Sequence, residues 1–399
     1  MFKRSRPSAV APLDRLTTET SPDRFWKAAG RGGAACTLAP PAVVRLRNYS
    51  RMDQPDFVNK SRARFLAPLQ YEAAAVRLYS LRDVGFYGSA ALFETQGRIV
   101  AESAAHWHPA AADTPEALAA SLAAQRPKAR IDFEAPPVRL QGPHLLAANL
   151  FAANYYHWHF DLLTTPALVA GLRPLEGLKV LVNRRTPAVL DTLSALGVRA
   201  EAVVELPPDR AARVDQLVFA SCIASELPRT HPRAVEALQK LGAGLIGEPP
   251  AAPWRRVLVS RRSSAKRPLA NRAELEAAFA AEGFEVLDPG DLDAAAQARL
   301  FAEADVLIGE HGANFTNAVH CRPGALVLEL FHPTELGWSC LCFLALSECN
   351  GLFHRSLIGE GLQGDAWRVD VAAVLAFARD AETRRRAQLR REALPAPEG

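Results

Sequence analysis

The stretch Val306-Leu307-Ile308-Gly309-Glu310-His311-Gly312 decides the fold class, because an apolar run typical of a buried strand ends there in a turn of small residues. Residues 314–319 then begin a predicted helix, and residues 326–330 form the next apolar strand. A strand, a tight turn and a helix in this order are typical of a parallel sheet covered by helices.

The same alternation precedes this stretch. Asn271 with Glu274 has the spacing of a helix cap and its return partner, and Gly283 is typical of a helix end. The predicted elements are strand 257–260, helix 271–282, strand 284–287 and helix 293–303. This order predicts a doubly wound, Rossmann-like α/β domain over residues 254–370, followed by a helix and tail over 371–399.

The first half of the chain also alternates between strands and helices. Its predicted elements are helix 154–170, strand 180–182, helix 187–196 and strands 203–204 and 217–220. They predict a second Rossmann-like domain over residues 38–246. The Pro-rich residues 247–253 are the predicted linker, and residues 1–37 are predicted to form a loose N-terminal arm.

Composition narrows the class of protein. The 399 residues are 49% hydrophobic, which is enough for two cores, and the net charge of +4 does not indicate a nucleic-acid partner. Basic residues concentrate at both ends, as a solvated face or, alternatively, as a peripheral contact with an anionic inner membrane. The chain shows no secretory signal and no apolar run of membrane-spanning length, so a cytoplasmic location is expected.

A predicted helix carries the candidate catalytic residues. Asn154, His157 and Asp161 share one face, and His157 and Asp161 have the i, i+4 spacing that allows a hydrogen bond. A carboxylate that orients a histidine makes the ring a stronger base. His159 lies on another face and is expected to be structural. The alternative is a polar cluster in the core, in which these side chains only satisfy one another.

Candidate phosphate-binding residues follow two predicted strands, where the carboxyl ends of parallel strands face the ligand crevice. Arg261 offers a fork for phosphate oxygens, and the small residues after His311 let backbone N–H groups approach an anion. Glu329, at the end of another strand, is a candidate for ribose binding. The alternatives are a solvated basic loop and an ordinary tight turn. The predicted donor-binding residues are Ser260, Arg261, Arg262, His311, Gly312, Ala313, Asn314, Thr316, Asn317 and Glu329.

Neither a metal nor a redox cofactor is expected. Asp291 and Asp293 have an Asp-x-Asp spacing, but they stand where a helix begins and are interpreted as capping residues. Cys340, Cys342 and Cys349 with His354 are interpreted as part of a core helix. The chain lacks the Gly-x-Gly-x-x-Gly fingerprint, which disfavours a Rossmann oxidoreductase.

In order and spacing, these blocks resemble glycosyltransferase family 61 over residues 76–330. The resemblance rests on Leu81-Arg82-Asp83-Val84, Asn154-Tyr155-Tyr156-His157-Trp158 with Asp161, Ser260-Arg261-Arg262, residues 300–304 and 309–317, and Glu329-Leu330. Two departures stand out. Asn314-Phe315 replaces the usual Leu or Met after the Gly-Ala pair, and Thr164-Thr165-Pro166 replaces a more common Pro-Arg.

The resemblance implies an inverting glycosyltransferase of the GT-B architecture, with two Rossmann-like domains facing a cleft. It implies that a nucleotide-sugar, as a substrate, binds the second domain, and that a glycan or lipid-linked glycan accepts the sugar. Bacterial surface polysaccharide synthesis is the expected role. Arg261 and the turn at His311 are expected to replace a metal, and either His157 or Asp161 is the base. The alternative is a degenerate transferase that acts as a scaffold in a polysaccharide assembly complex.

Overall fold

The computed structural model describes residues 9–11, 13, 16, 18–48, 70–87, 92–103, 114–125, 132, 136–149, 151–206, 210–221, 230–248, 250–334 and 341–392. The chain divides into two compact units. The first comprises Met1–Ala42, Ala74–Glu226 and Glu236–Leu241, and the second comprises Val43–Ala73, Leu227–Val235 and Gly242–Gly399. This division differs from the predicted one, because residues 247–253 lie within the second unit and residues 43–73 belong to it as well.

The strands, in chain order, are β1 Ala9–Ala11, β2 Thr18–Glu19, β3 Ala34–Ala39, β4 Ala42–Arg45, β5 Gln70–Ala73, β6 Val76–Tyr87, β7 Leu92–Thr95, β8 Arg98–Val100, β9 Pro137–Ala147, β10 Lys179–Val182, β11 Val203–Glu205, β12 Ala211–Ala220, β13 Arg255–Val259, β14 Glu285–Leu287, β15 Ala304–Glu310, β16 Leu326–Phe331, β17 Phe353–Ile358, β18 Glu360–Gly361 and β19 Trp367–Arg368. The α-helices are α1 Pro22–Ala29, α2 Pro115–Gln125, α3 Tyr155–His157, α4 Thr164–Ala170, α5 Pro187–Ser194, α6 Pro232–Ile246, α7 Arg272–Ala281, α8 Ala294–Glu303, α9 Cys342–Asn350 and α10 Val371–Glu392. A π-helix, Trp158–Leu163, joins α3 to α4, and 3₁₀-helices span Ala200–Ala202, Pro289–Asp291 and Ala313–His320.

The first unit contains a mixed sheet in the order β1-β8-β7-β6-β12-β9-β10-β11, with β3 also paired to β6. Strands β12, β9, β10 and β11 are parallel, as predicted, whereas β6 runs antiparallel to β12, β7 and β3. The β7–β8 connection is the two-residue turn Gln96-Gly97, which is too short for a parallel crossover. The Rossmann-like prediction for this half therefore holds only for the strands from β9 onward.

The interpretation of residues 1–37 as a loose arm is wrong for the part that the structure describes. Helix α1 buries Phe25 and Ala29, and β3 joins the sheet. The missed signal is a start of a helix: the Ser21 hydroxyl accepts a hydrogen bond from the Arg24 amide, and Pro22 occupies the first turn.

The second unit contains a parallel five-stranded sheet in the order β14-β13-β15-β16-β17. If the strands of this sheet are numbered in chain order, their spatial order is 2-1-3-4-5. This is a doubly wound order, and its switch point lies between β13 and β15. The Rossmann-like prediction for this half is confirmed. Its core includes Leu258, Phe279, Ile308, Leu328 and Trp367.

Two local predictions in this unit need correction. The element after the glycine turn is a 3₁₀-helix, Ala313–His320. The side chain of Asn271 accepts no hydrogen bond from the first turn of α7, because it is held by the main chain of Val369 and by Glu274. Among the described helices, none combines the length and hydropathy needed to cross a membrane.

Candidate active site

The candidate catalytic face begins where α3 begins. The side chain of Asn154 accepts a hydrogen bond from the Tyr156 amide at 2.9 Å and so caps the helix. Its position in the sequence motif thus has a structural explanation, and the catalytic role of Asn154 stays a prediction. The helix widens into the π-helix directly after His157, a local geometry that is frequent at functional sites.

His157 and Asp161 form the predicted pair. The distance from His157 Nδ1 to Asp161 Oδ2 is 2.5 Å, and the side chains are 23% and 2% exposed, respectively. Because the carboxylate accepts the proton of Nδ1, the lone pair of the neutral ring lies on Nε2. None of the described residues hydrogen-bonds to Nε2. The accessible ring is thus the better-placed base, and the buried carboxylate orients it.

The surroundings hold this ring in place. Phe151 stacks on His157 with a centroid distance of 4.8 Å, and Tyr156 meets it edge-on. His159, by contrast, is buried and donates from Nδ1 to the Tyr155 carbonyl at 2.9 Å. Burial lowers the pKa of His159 to about 4, although the bond to Tyr155 opposes the shift. His159 is therefore neutral near pH 7 and structural, as expected from its place on the helix.

Arg261 leads the phosphate-binding candidates in the second unit. It follows β13, and its guanidinium donates to the His311 carbonyl at 2.9 Å and to the Ser264 hydroxyl at 3.2 Å. Burial lowers its pKa; Glu310 opposes that shift and Arg272 adds to it. A partly desolvated guanidinium beside another cation is stabilised by a bound anion.

Close contacts explain why glycine occupies positions 309 and 312. A Cβ on Gly309 would lie 2.5 Å from the Val259 carbonyl oxygen on the neighbouring strand. A Cβ on Gly312 would lie 2.9 Å from Arg261 Nε. One glycine therefore lets β15 approach β13, and the other leaves room for the arginine.

Glu329 is the clearest correction to the predicted site. Its side chain is fully buried; Oε1 accepts from His311 Nδ1 at 2.8 Å, and Oε2 lies 3.1 Å from His354 Nε2. Burial alone would raise the pKa of Glu329, but the two histidines outweigh it and leave the pKa below its usual value. Glu329 cannot reach a ribose. It positions His311, whose ring also stacks on Phe331 at 4.6 Å.

Several other predicted donor residues are buried or bound to other side chains. Ser260 and Arg262 both bind Glu276, and the Arg262 side chain is 55% exposed. Thr316 and Asn317 are buried, and the Asn317 amide donates to Gln297. Of the predicted set, the residues that stay together at the turn are Arg261, His311, Gly312, Ala313 and Asn314.

Two side chains that the sequence interpretation did not assign to the site organise it. Asp288, just after β14, accepts the Ser263 and Gly290 amides at 2.8 and 3.0 Å and binds the side chain of Asn314. It thus ties the Arg261 loop to the glycine turn. His354 supports Glu329 from β17. Asp288 could have been found as a polar residue at a strand end, whereas the His354 contact depends on strand order.

The structure describes the residues that were considered as metal ligands, apart from Cys340. Asp293 accepts the Ala296 amide at 2.7 Å and so caps α8, as expected. Cys342 is buried in α9, burial raises the pKa of the Cys349 thiol to about 12, and Cys340 lies outside the described residues. Across the described ranges, no three His, Cys, Asp or Glu side chains are grouped so that they could hold a metal ion.

Residues 155–328 match the family model described as Glycosyltransferase 61. The matched region runs from the helix with His157 and Asp161, through Arg261 and His311, to the residue before Glu329. The protein is therefore a glycosyltransferase, an enzyme that transfers a sugar. More particularly, residues 155–328 match glycosyltransferase family 61, which confirms the resemblance for the motifs within that region. No curated protein matches the chain.

Proposed function

We propose that this glycosyltransferase is inverting and metal-independent, and that it moves a sugar from a nucleotide-sugar to a glycan or lipid-linked glycan in bacterial surface polysaccharide synthesis. The observation that carries the proposal is the 2.5 Å pair of His157 and Asp161, in which a buried carboxylate orients an accessible ring. The GT-B arrangement of the two units and a cytoplasmic location, with peripheral contact with the inner membrane, belong to the same proposal.

In the proposed reaction, Nε2 of His157 removes the proton of an acceptor hydroxyl. Asp161 accepts from Nδ1–H and stabilises the imidazolium that forms. The acceptor oxygen attacks the anomeric carbon from the face opposite the nucleoside diphosphate. The new glycosidic bond forms as the bond to the phosphate oxygen breaks, and this single displacement inverts the configuration.

The second unit stabilises the leaving diphosphate. Arg261 supplies a guanidinium fork, and the turn at Gly312 supplies backbone N–H groups. His311, held at Nδ1 by Glu329, can donate from Nε2 to a phosphate oxygen when that nitrogen carries a proton. These groups would provide the positive charge that a metal supplies elsewhere, and the nucleotide-sugar is a substrate rather than a cofactor. The intact pair of His157 and Asp161 argues against the alternative of a degenerate scaffold.

The chain offers a matched pair of arginines to test the donor site. Calorimetric titration with UDP, GDP, CDP and dTDP in the presence of EDTA should show binding of at least one of them. Arg261→Gln should weaken it about 10- to 100-fold, because a charge-assisted hydrogen bond contributes about 1.5–3 kcal/mol. Arg262→Gln should leave affinity nearly unchanged, since Arg262 is exposed and bound to Glu276. Loss of binding in EDTA, or equal effects of the two substitutions, would contradict the proposal.

A further inference from the structure

A pocket in the first unit lies beside Asp161. It opens past the carboxyl end of β9, the edge of a parallel sheet at which ligands bind. Its walls are formed by Phe93, Glu102, Ser103, Leu146, Ala148, Asn149, Asp161, Leu162, Thr165, Phe219 and Ala220. The polar groups of Ser103 and Thr165 are engaged within the fold, with Val100 and Phe93 and with Ala220, respectively.

Asn149 contributes a hydrogen-bond donor to this pocket. Its side chain is buried, with the residue 3% exposed. The Phe151 amide donates to Oδ1 at 2.7 Å, and this contact fixes the orientation of the side-chain amide, because a backbone N–H can only donate. The buried Nδ2 has no hydrogen-bond partner among the described residues. A buried donor without a partner lowers the stability of the fold by about 1–3 kcal/mol unless a ligand or a water accepts its hydrogen bond.

Glu102 contributes an acceptor to the same pocket. Its Oε1 accepts the Leu13 amide at 2.9 Å, so the carboxylate has a fixed orientation as well. The other oxygen, Oε2, is buried and also lacks a partner in the part of the chain that the structure describes. The pocket therefore presents one unsatisfied donor and one unsatisfied acceptor beside the carboxylate that orients the proposed base.

A hydroxyl group satisfies both, because its oxygen accepts and its proton donates. We infer that Asn149 and Glu102 form a binding subsite for a hydroxyl of the acceptor sugar, next to the hydroxyl that reacts. This inference rests on the proposed function, since it assigns the first unit to the acceptor. The two residues determine which sugar is accepted, because a site built to hydrogen-bond a hydroxyl strongly rejects an analogue that lacks it.

The test uses the full chain and exchanges the hydrogen-bond donor at Asn149 with the hydrogen-bond acceptor at Glu102. Asn149→Asp retains the oxygen that binds the Phe151 amide and removes the Nδ2 donor. Glu102→Gln retains the oxygen that binds the Leu13 amide and replaces the free acceptor with a donor. The double variant therefore presents the reversed pair at the same total charge. Asn183→Asp is the matched control, because Asn183 accepts the Asn149 amide and is not part of the pocket.

The probes are the methyl α- and β-glycosides of glucose, galactose, mannose and xylose, titrated by ligand-observed NMR. At least one should bind the wild type. Each single substitution should weaken its binding about 10-fold or more, and the double variant should recover most of the loss. Asn183→Asp should bind glycosides normally, and nucleoside diphosphate affinity should be unchanged in all variants. If Asn149 and Glu102 had a purely structural role, the single substitutions would lower the stability of the fold, and the double variant would not recover glycoside binding.

Three results would overturn the inference: no glycoside binds the wild type, the single variants bind normally, or a crystal structure with the bound glycoside shows only water at Asn149 and Glu102. If glycoside binding is lost in the single variants and restored in the double variant, the subsite is supported even when no sugar transfer is found. In that case the proposed function fails and the subsite stands. If His157→Ala abolishes transfer while the single variants bind glycosides normally, the proposed function stands and the subsite fails.

Discussion

His157 and His159 are two residues apart, and their surroundings give them different chemistry. His157 is partly accessible and bound to a carboxylate, whereas His159 is buried and bound to a main-chain carbonyl. A carboxylate stabilises the imidazolium that forms when a base takes a proton, and burial opposes it. The proposed base and a buried, neutral ring therefore lie two residues apart on the same helix.

At this scale, His157→Ala and Asp161→Asn should each lower turnover about 10²- to 10⁴-fold, because each removes the oriented base. Their effects should not add, since loss of the orienting partner already disables the ring. Nucleoside diphosphate affinity should stay close to that of the wild type. Steady-state rates and calorimetric affinities, taken after each variant is checked for folding, measure both quantities.

His159→Asn is the matched control for these variants. It should retain turnover when folded, because His159 is buried against Tyr155 and faces away from the proposed reaction. Turnover in His159→Asn as low as in His157→Ala, at equal stability, would show that the helix face was misassigned. Near-normal turnover in Asp161→Asn would show the same.

The sequence predicted the pair of His157 and Asp161 because their contact is local and follows from helix geometry. It predicted the place of Arg261 for a similar reason, since a strand end can be read from the apolar run before it. It failed for Glu329, because the two histidines that bind this carboxylate come from the turn after β15 and from β17. Their approach depends on strand order and register, which the residues around Glu329 do not encode.

At the scale of the elements, the two glycines at the end of β15 and in the turn after it affect stability and binding separately. Gly309→Ala should lower the free energy of unfolding by about 1–3 kcal/mol, because its Cβ would collide with the main chain of β13. Gly312→Ala should leave stability nearly unchanged and weaken nucleoside diphosphate binding, because its Cβ would displace the far end of the Arg261 side chain and no main-chain atom. Urea unfolding and calorimetric titration measure the two effects. The reverse pattern would contradict the role assigned to Arg261.

Elements with strong local signals were predicted well. The apolar runs of β13, β15 and β16 and the caps of α5 and α8 lie close to where the pattern placed them. The element after Gly312 was expected to be an ordinary helix, and it is a 3₁₀-helix buried over residues 315–320. Helix α1 was missed because its composition suggested a loose arm, although Ser21 and Pro22 carried the signal of a helix start.

At the scale of the whole molecule, the sequence predicted two α/β units but not which segments belong to each. Residues 43–73 and Leu227–Val235 belong to the second unit, although both segments lie in the part of the chain predicted to form the first domain. Composition marks where a chain bends, as at residues 247–253, but it does not show where a segment packs. The antiparallel pairing of β6 with β3 and β12 was not predicted for the same reason, since pairing direction depends on the connections.

The most direct test of the account is the configuration of the sugar after transfer. The chain is incubated with a panel of nucleotide-sugars and the methyl glycosides in EDTA, and the anomeric configuration of the first product is read by ¹H NMR. A single displacement by an acceptor that His157 deprotonates predicts a product whose anomeric configuration is opposite to that of the donor, and formation of that product about 10²- to 10⁴-fold more slowly by His157→Ala. A product that retains the donor configuration, or one formed equally well by His157→Ala, would contradict the account.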